Sequence, residues 1–375
     1  MSGAAGLAVC SAQLARTRCD RQAADTALAR LEDAIDVLGT QPLTSSFYAG
    51  FTGIAWAVDL VGRLLGTAGE DRNGDIDEAL TKLLRKYPEQ APYDLIQGLT
   101  GLGAYALARW PRPGAAQCLL GVVEQFAQRA RHDRDGVFWW SPPSWQGQRR
   151  EVYLPGRVDL GVAHGIAAVI PFLARVHRLG LARQTVRPLL DGAVRWLLAH
   201  LVDTASGPTV PSFVADGVPP RPVRSAWCYG DPGVAAALLL AARDVGEPTW
   251  AAAATGLALR AAARPPDHAG VEDAGLCHGS AGLAHLFNRI YQMTAEPALA
   301  DAARFWVERT LELCSAAAPG RDATRTDAAP PAWKGPGLLE GAAGVALALE
   351  AASTTVEPVW DQMLLVSTGI PGAQA

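Results

Sequence analysis

Gly230-Asp231-Pro232-Gly233 introduces Val234-Ala235-Ala236-Ala237-Leu238-Leu239-Leu240-Ala241-Ala242, an unbroken run of small and aliphatic side chains. A helix that is apolar nearly all round has to lie inside a protein, packed closely through its alanines and glycines. The same pairing of a glycine turn with a small-residue helix recurs at Gly50-Phe51-Thr52-Gly53, Gly98-Leu99-Thr100-Gly101, Gly165-Ile166-Ala167-Ala168, Gly279-Ser280-Ala281-Gly282 and Gly341-Ala342-Ala343-Gly344, the last running on to Ala352. Between the copies lie Arg21–Leu38, Asp75–Lys86, Ala115–Arg131, Arg183–Leu201, Thr249–Ala263 and Leu299–Cys314, which mix Arg, Asp and Glu with aliphatics as half-exposed outer helices do. The first glycines stand 48 to 67 residues apart, long for an open solenoid, and buried inner helices favour a closed ring. The expected fold is all-α: an α/α toroid of helical hairpins, six by this count, forming one domain over residues 1–375. Its six glycine loops converge at one end of the inner barrel, where a site is expected.

Composition agrees with a large buried core: 49 % of the 375 residues are hydrophobic. A net charge of -4 offers no basic patch, which excludes nucleic acid as a partner. The scarcity of lysine (Lys82, Lys86 and Lys334 alone) beside abundant Arg and Ala reflects a GC-rich genome and carries no structural message. Met1–Arg16 is weakly apolar without a basic flank, and no run is long enough to span a membrane, so a cytoplasmic location without a transmembrane segment is expected. Six cysteines without regular spacing do not make a disulfide framework. Cys10, Cys19 and Cys118 read as small apolar packing groups. Two longer excursions, His132–Val158 and Asp203–Ala226, are rich in Pro, Gly and Trp (Trp139, Trp140, Trp145) and are candidates to wall a site or bind a peptide.

The residues just before each first glycine are Tyr48-Ala49, Ile96-Gln97, Ala163-His164, Cys228-Tyr229, Cys277-His278 and Leu339-Glu340. Cys228 and Cys277 are therefore equivalents, as are His164 and His278, and all four come from three neighbouring turns. Two thiolates and an imidazole form a three-ligand zinc set; a structural site would close with a fourth protein ligand, whereas three leave a position open. The competing reading is that these side chains are core residues that meet by chance.

Trp227-Cys228-Tyr229-Gly230-Asp231-Pro232-Gly233, Cys277-His278-Gly279, Ala163-His164-Gly165 and Tyr93-Asp94-Leu95-Ile96-Gln97-Gly98 resemble the signatures of the LanC family of lanthionine synthetase cyclases, over roughly Ser46 to Ala352. The resemblance implies a toroid of seven hairpins around a central zinc, against six glycine repeats here. The SH2-like insertion of some members is missing, because only a short stretch separates Gly62 from Asp75. By the same resemblance one zinc per chain is held by Cys228, Cys277 and His278. The acid/base histidine falls on His164, its supporting aspartate on Asp94, the family's arginine on Arg224 and its active-site tyrosine on Tyr229.

The implied reaction adds a peptide cysteine thiol across dehydroalanine or dehydrobutyrine, closing a (methyl)lanthionine thioether ring. A thiol of pKa about 8.5 becomes a thiolate on zinc, and His164 could exchange the α-carbon proton near neutral pH. The implied partners are a dehydrated precursor peptide with its leader and a separate dehydratase. Bland readings stand beside these: Asp94 as a cap for the helix near Gly98, Arg224 as a solvated or paired arginine, Tyr229 and Trp227 as packing, His285 as core. Three alternatives compete with the cyclase. A toroidal glycosidase using Asp94 and Glu340 leaves the thiols unexplained. The prenyltransferase β subunits, also zinc toroids, use an Asp ligand that this pattern lacks. The third is an inactive LanC-like protein that binds thiols or a peptide.

Overall fold

A computed structural model describes residues 3–67, 69–143, 156–221, 223–316 and 332–369. Seven helices form the inner ring: α1 (Ala4–Arg18), α3 (Phe51–Leu64), α5 (Leu99–Arg109), α7 (Ile166–Arg178), α9 (Asp231–Val245), α11 (Ser280–Thr294) and α13 (Ala342–Ser353). Each packs on the next in that order, and α13 packs back on α1, so the ring is closed. Outside it lie α2 (Arg21–Thr40), α4 (Gly74–Arg85), α6 (Pro113–Arg129), α8 (Arg183–Ala199), α10 (Pro248–Ala262) and α12 (Pro297–Ala316). The amphipathic segments of the sequence locate these outer helices to within two residues at every end.

The count of six inner helices is corrected to seven. The additional one is α1, whose Ala8, Val9 and Ala12 are fully buried; Gly3-Ala4-Ala5-Gly6 leads into it, a copy of the turn beyond the six counted. The purely α-helical expectation is also amended. Among the described residues the two excursions carry three two-stranded antiparallel ribbons: β1 (Arg131–His132) with β2 (Val137–Phe138), β4 (Val202–Thr204) with β5 (Gly207–Thr209), and β3 (Val158–Asp159) with β6 (Phe213–Val214). The last ribbon ties one excursion to the other. Trp139 is buried and donates its indole N–H to the Phe126 carbonyl, so it packs the core. Trp145 lies outside the described residues. Helix α3 ends at Leu64 and α4 begins at Gly74.

None of the six glycine-led helices has a side chain capping its N-terminus. The unpaired first amide is satisfied by the loop: Phe51 N–H donates to the Thr44 carbonyl, Leu99 to Pro92, Ser280 to Asp273 and Ala342 to Gly335, at 2.9–3.2 Å. That carbonyl passes directly over the glycine. A Cβ at the first glycine of each copy would fall 2.0–2.7 Å from the carbonyl oxygen six residues earlier. Space demands the glycine everywhere; at Gly230, with φ of 111°, backbone conformation demands it as well.

After α13 the chain turns inward. Residues 357–369 fill the bore of the ring, with Trp360, Met363 and Val366 fully buried. They are gripped from four sides: Tyr48 Oη donates to the Met363 carbonyl (2.5 Å), Trp227 Nε1 to Leu364 (3.0 Å), Arg175 to Ser367 (2.5 Å), and Arg289 Nε to Asp361 (2.7 Å). Among the described residues no helix is long and apolar enough to cross a membrane.

Candidate metal centre

The turns that enter the inner helices are stitched to one another by backbone hydrogen bonds. Tyr48 N–H donates to Ile96, Leu95 to Ala163, Ala163 to Cys228, Cys228 to Cys277 and Cys277 to Leu339, at 2.7–3.4 Å. This ladder runs through the six positions that the repeat alignment equates. It places Cys228 and Cys277 side by side, with His164 one turn away. Cys228, Cys277 and His278 offer ligand atoms that all lie within 4.8 Å of one another, the one such group among the described residues.

Both thiols are buried, in apolar surroundings that oppose a charge. The hydrogen bond from Cys277 outweighs burial at Cys228 and, with His278 adding, brings that thiol down to about 5. The same bond, together with burial, pushes Cys277 well up. His278 is raised, chiefly by its hydrogen bond to Cys228, against burial and the Arg224 charge. Two sulfurs and an imidazole nitrogen on a preformed scaffold are the donor chemistry of a zinc site.

His164 Nδ1–H donates to Asp94 Oδ2 at 2.5 Å. The other Asp94 oxygen accepts from the Gln97 amide at 2.7 Å, so the turn that introduces α5 fixes the carboxylate in place. Asp94 does not cap α5, which begins after Gly98: one oxygen braces the preceding turn at Gln97 and the other meets His164. Burial lowers the His164 imidazole, but the Asp94 bond and charge, joined by Asp159 and Cys228, overcome it and the net shift is upward. Tyr229 lies against His164 with ring centroids 6.3 Å apart and planes at 29°. Arg224 is exposed, and its charge bears on Cys228, Cys277 and His278.

Trp227 is a packing residue, buried and bonded to the inward-turned chain. His285 is core, 2 % exposed, with Nε2 3.1 Å from Asp361. Glu340 faces Lys334 at 3.4 Å while Asp94 faces His164, so the two are not an isolated carboxylate pair. Sequence reading overlooked Asp159, which accepts a hydrogen bond from Tyr229 Oη at 3.1 Å. A signal was there: Asp159, Arg224 and Asp273 each stand six residues before a repeat glycine.

A closed ring of paired helices whose convergent turns gather two thiols and an imidazole defines a class: α/α toroids with a candidate metal-ligand cluster at one end. The sequence profile of the lanthionine synthetase C-like protein family matches residues 1–365, and the chain belongs to that family. A search of curated proteins by sequence found no match. Among solved structures the fold is similar to that of a nisin cyclase, with a TM-score of 0.78 and 19 % identity over 96 % of this chain and 90 % of that one. A sugar epimerase from a ruminal bacterium aligns over 94 % of this chain and 87 % of its own, at 10 % identity and a TM-score of 0.48, too low to carry an argument.

Proposed function

We propose that the chain is a zinc-dependent peptide cyclase that forms (methyl)lanthionine rings by adding cysteine thiols to dehydroalanine or dehydrobutyrine. The observation that carries this reading is the convergence of Cys228, Cys277 and His278 within 4.8 Å on turns adjoining the His164–Asp94 pair. Those three side chains would hold one zinc, and their number leaves a position for a substrate sulfur. When bound, zinc supplies the Lewis acidity that converts a thiol to its nucleophilic thiolate at neutral pH.

The addition forms a carbon–sulfur bond at the β-carbon, moves the π electrons toward the carbonyl, and ends with a proton on the α-carbon. His164 is suited to deliver that proton. Its Nδ1 is committed to Asp94, which leaves Nε2 for chemistry, and its raised pKa keeps the cation populated near neutrality. Asp94 fixes the tautomer, and the Arg224 guanidinium would stabilise negative charge on the enolate oxygen. Tyr229 forms the wall behind the imidazole. The substrate is a dehydrated precursor peptide with its leader, supplied in the cytoplasm by a separate dehydratase.

The test is incubation of the zinc-loaded protein with a dehydrated peptide from its own gene neighbourhood, read by thiol alkylation and mass spectrometry. Ring closure removes alkylatable thiol without changing peptide mass. Full activity in a metal-free preparation, or zinc binding with no loss of thiol, sinks the reading; the second outcome would leave a protein that only binds thiols or peptides.

A further inference from the structure

Asp159 is 3 % exposed and sits on β3, where it pairs with Phe213 of β6. It is thus carried by the ribbon that joins the two long excursions. Its carboxylate has two partners: Arg157 Nε at 3.0 Å, and Tyr229 Oη, which donates to Oδ1 at 3.1 Å. A buried carboxylate has to be paired, and Arg157 alone would meet that need; the bond to Tyr229 is additional. Tyr229 is packed closely, since a Cβ at Gly161 would fall 2.6 Å from its Cδ1.

We propose that Asp159 is a positioning residue for the reaction: it anchors the Tyr229 phenol, and the anchored ring fixes the plane of the His164 imidazole. The mechanical argument is short. The bond from Nδ1 to Asp94 fixes one edge of the imidazole but leaves it free to tilt about that bond. A ring stacked at 29° removes the tilt, provided that the ring is itself held. The hydrogen bond to Asp159 engages the one proton that the phenol owns, so Tyr229 acts as a wall and not as a proton donor to substrate. The excursions thereby acquire a defined role, because the β3–β6 ribbon sets where Asp159 stands relative to the turn before α7.

The inference rests on the cyclase reading, and its test separates the two. Asp159→Ala should lower kcat for cyclisation about tenfold, the effect of one lost orienting hydrogen bond, with KM for the peptide changed less than about twofold and zinc content unchanged. Asp159→Asn keeps an acceptor for the phenol and should restore most of the rate. Tyr229→Phe breaks the same bond from the other side without unpairing Arg157, and combined with Asp159→Ala it should be no worse than either alone. Multiplying effects in the double variant, an Asn variant as slow as the Ala variant, or a change confined to KM would overturn the proposal. If the wild-type protein cyclises nothing, crystal structures of the wild type and of Tyr229→Phe and Asp159→Asn still decide it. The ring at position 229 should leave the His164 stack in Tyr229→Phe and keep it in Asp159→Asn. A phenylalanine ring that stays in place overturns the positioning role whatever the reaction.

Discussion

The ligand atoms of Cys228, Cys277 and His278 stand within 4.8 Å of one another, so each completes the donor set for the others. Alanine at Cys277 should therefore reduce bound zinc from about one per chain to near zero and abolish cyclisation, as measured by metal analysis and thiol alkylation on the same sample. His164→Ala should keep its zinc and lose the reaction; a cyclisation rate equal to wild type would refute the proton-transfer role. The imidazole also predicts a pH dependence. Its pKa is raised above the usual value of about 6.5, so a proton-donor limb in kcat should fall off above that pH. Asp94→Asn removes the largest upward cause, so the limb should move to lower pH; an unmoved limb assigns it to another group. The juxtaposition of Cys228, Cys277 and His278 was legible in the sequence because soft ligands at matched places in a repeat are hard to produce by chance. Asp159 was legible only as a charged residue six before a repeat glycine; its bond to Tyr229 was not, because the two meet only in the folded chain.

At the level of elements, the glycine turns are where local sequence and long-range packing meet. Gly50→Ala would put a Cβ 2.0 Å from the Thr44 carbonyl oxygen, and no side-chain movement can relieve a clash with backbone. A loss of about 1–3 kcal/mol is expected, seen as a lower urea midpoint at unchanged m value, with cyclisation retained because this turn carries no ligand. A midpoint equal to wild type would mean that space does not select these glycines. Outer helices could be placed from sequence because their amphipathic period persists for several turns. The ribbons could not, since strands of two or three residues carry no readable alternation. Helix α1 has its own copy of the turn, Gly3-Ala4-Ala5-Gly6, but its weakly apolar composition sets it apart from the other inner helices, so it was overlooked.

At the level of the whole molecule, the bore is filled by the chain's own residues 357–369, and Asp361 is their electrostatic anchor. Burial would push the Asp361 carboxyl up, but Arg289 and His285 reverse this and hold it below the usual range. A depressed carboxyl stabilises the fold above its unfolded pKa of about 3.9, and that stability is lost as pH falls through the lower folded value. Acid unfolding should accordingly begin near pH 4 in the wild type. Asp361→Ala leaves the fully buried Arg289 side chain with the half-exposed Glu357 and the neutral Gln292, and should cost about 3–5 kcal/mol at neutral pH. Differential scanning calorimetry across this pH range would show whether the anchor has that weight.

The closed seam between α1 and α13 also constrains the order of events during synthesis. Arg18 and Glu350 meet across that seam although 332 residues separate them, and the Tyr48 bond to Met363 spans 315. Neither contact can form until the last inner helix has left the ribosome. Until then the nascent chain is an open arc with its most apolar helices uncovered, a slow-folding state prone to association. The thiols and the imidazole emerge earlier, on consecutive turns that pair with each other, so the metal-ligand cluster can assemble on that arc before the ring around it exists.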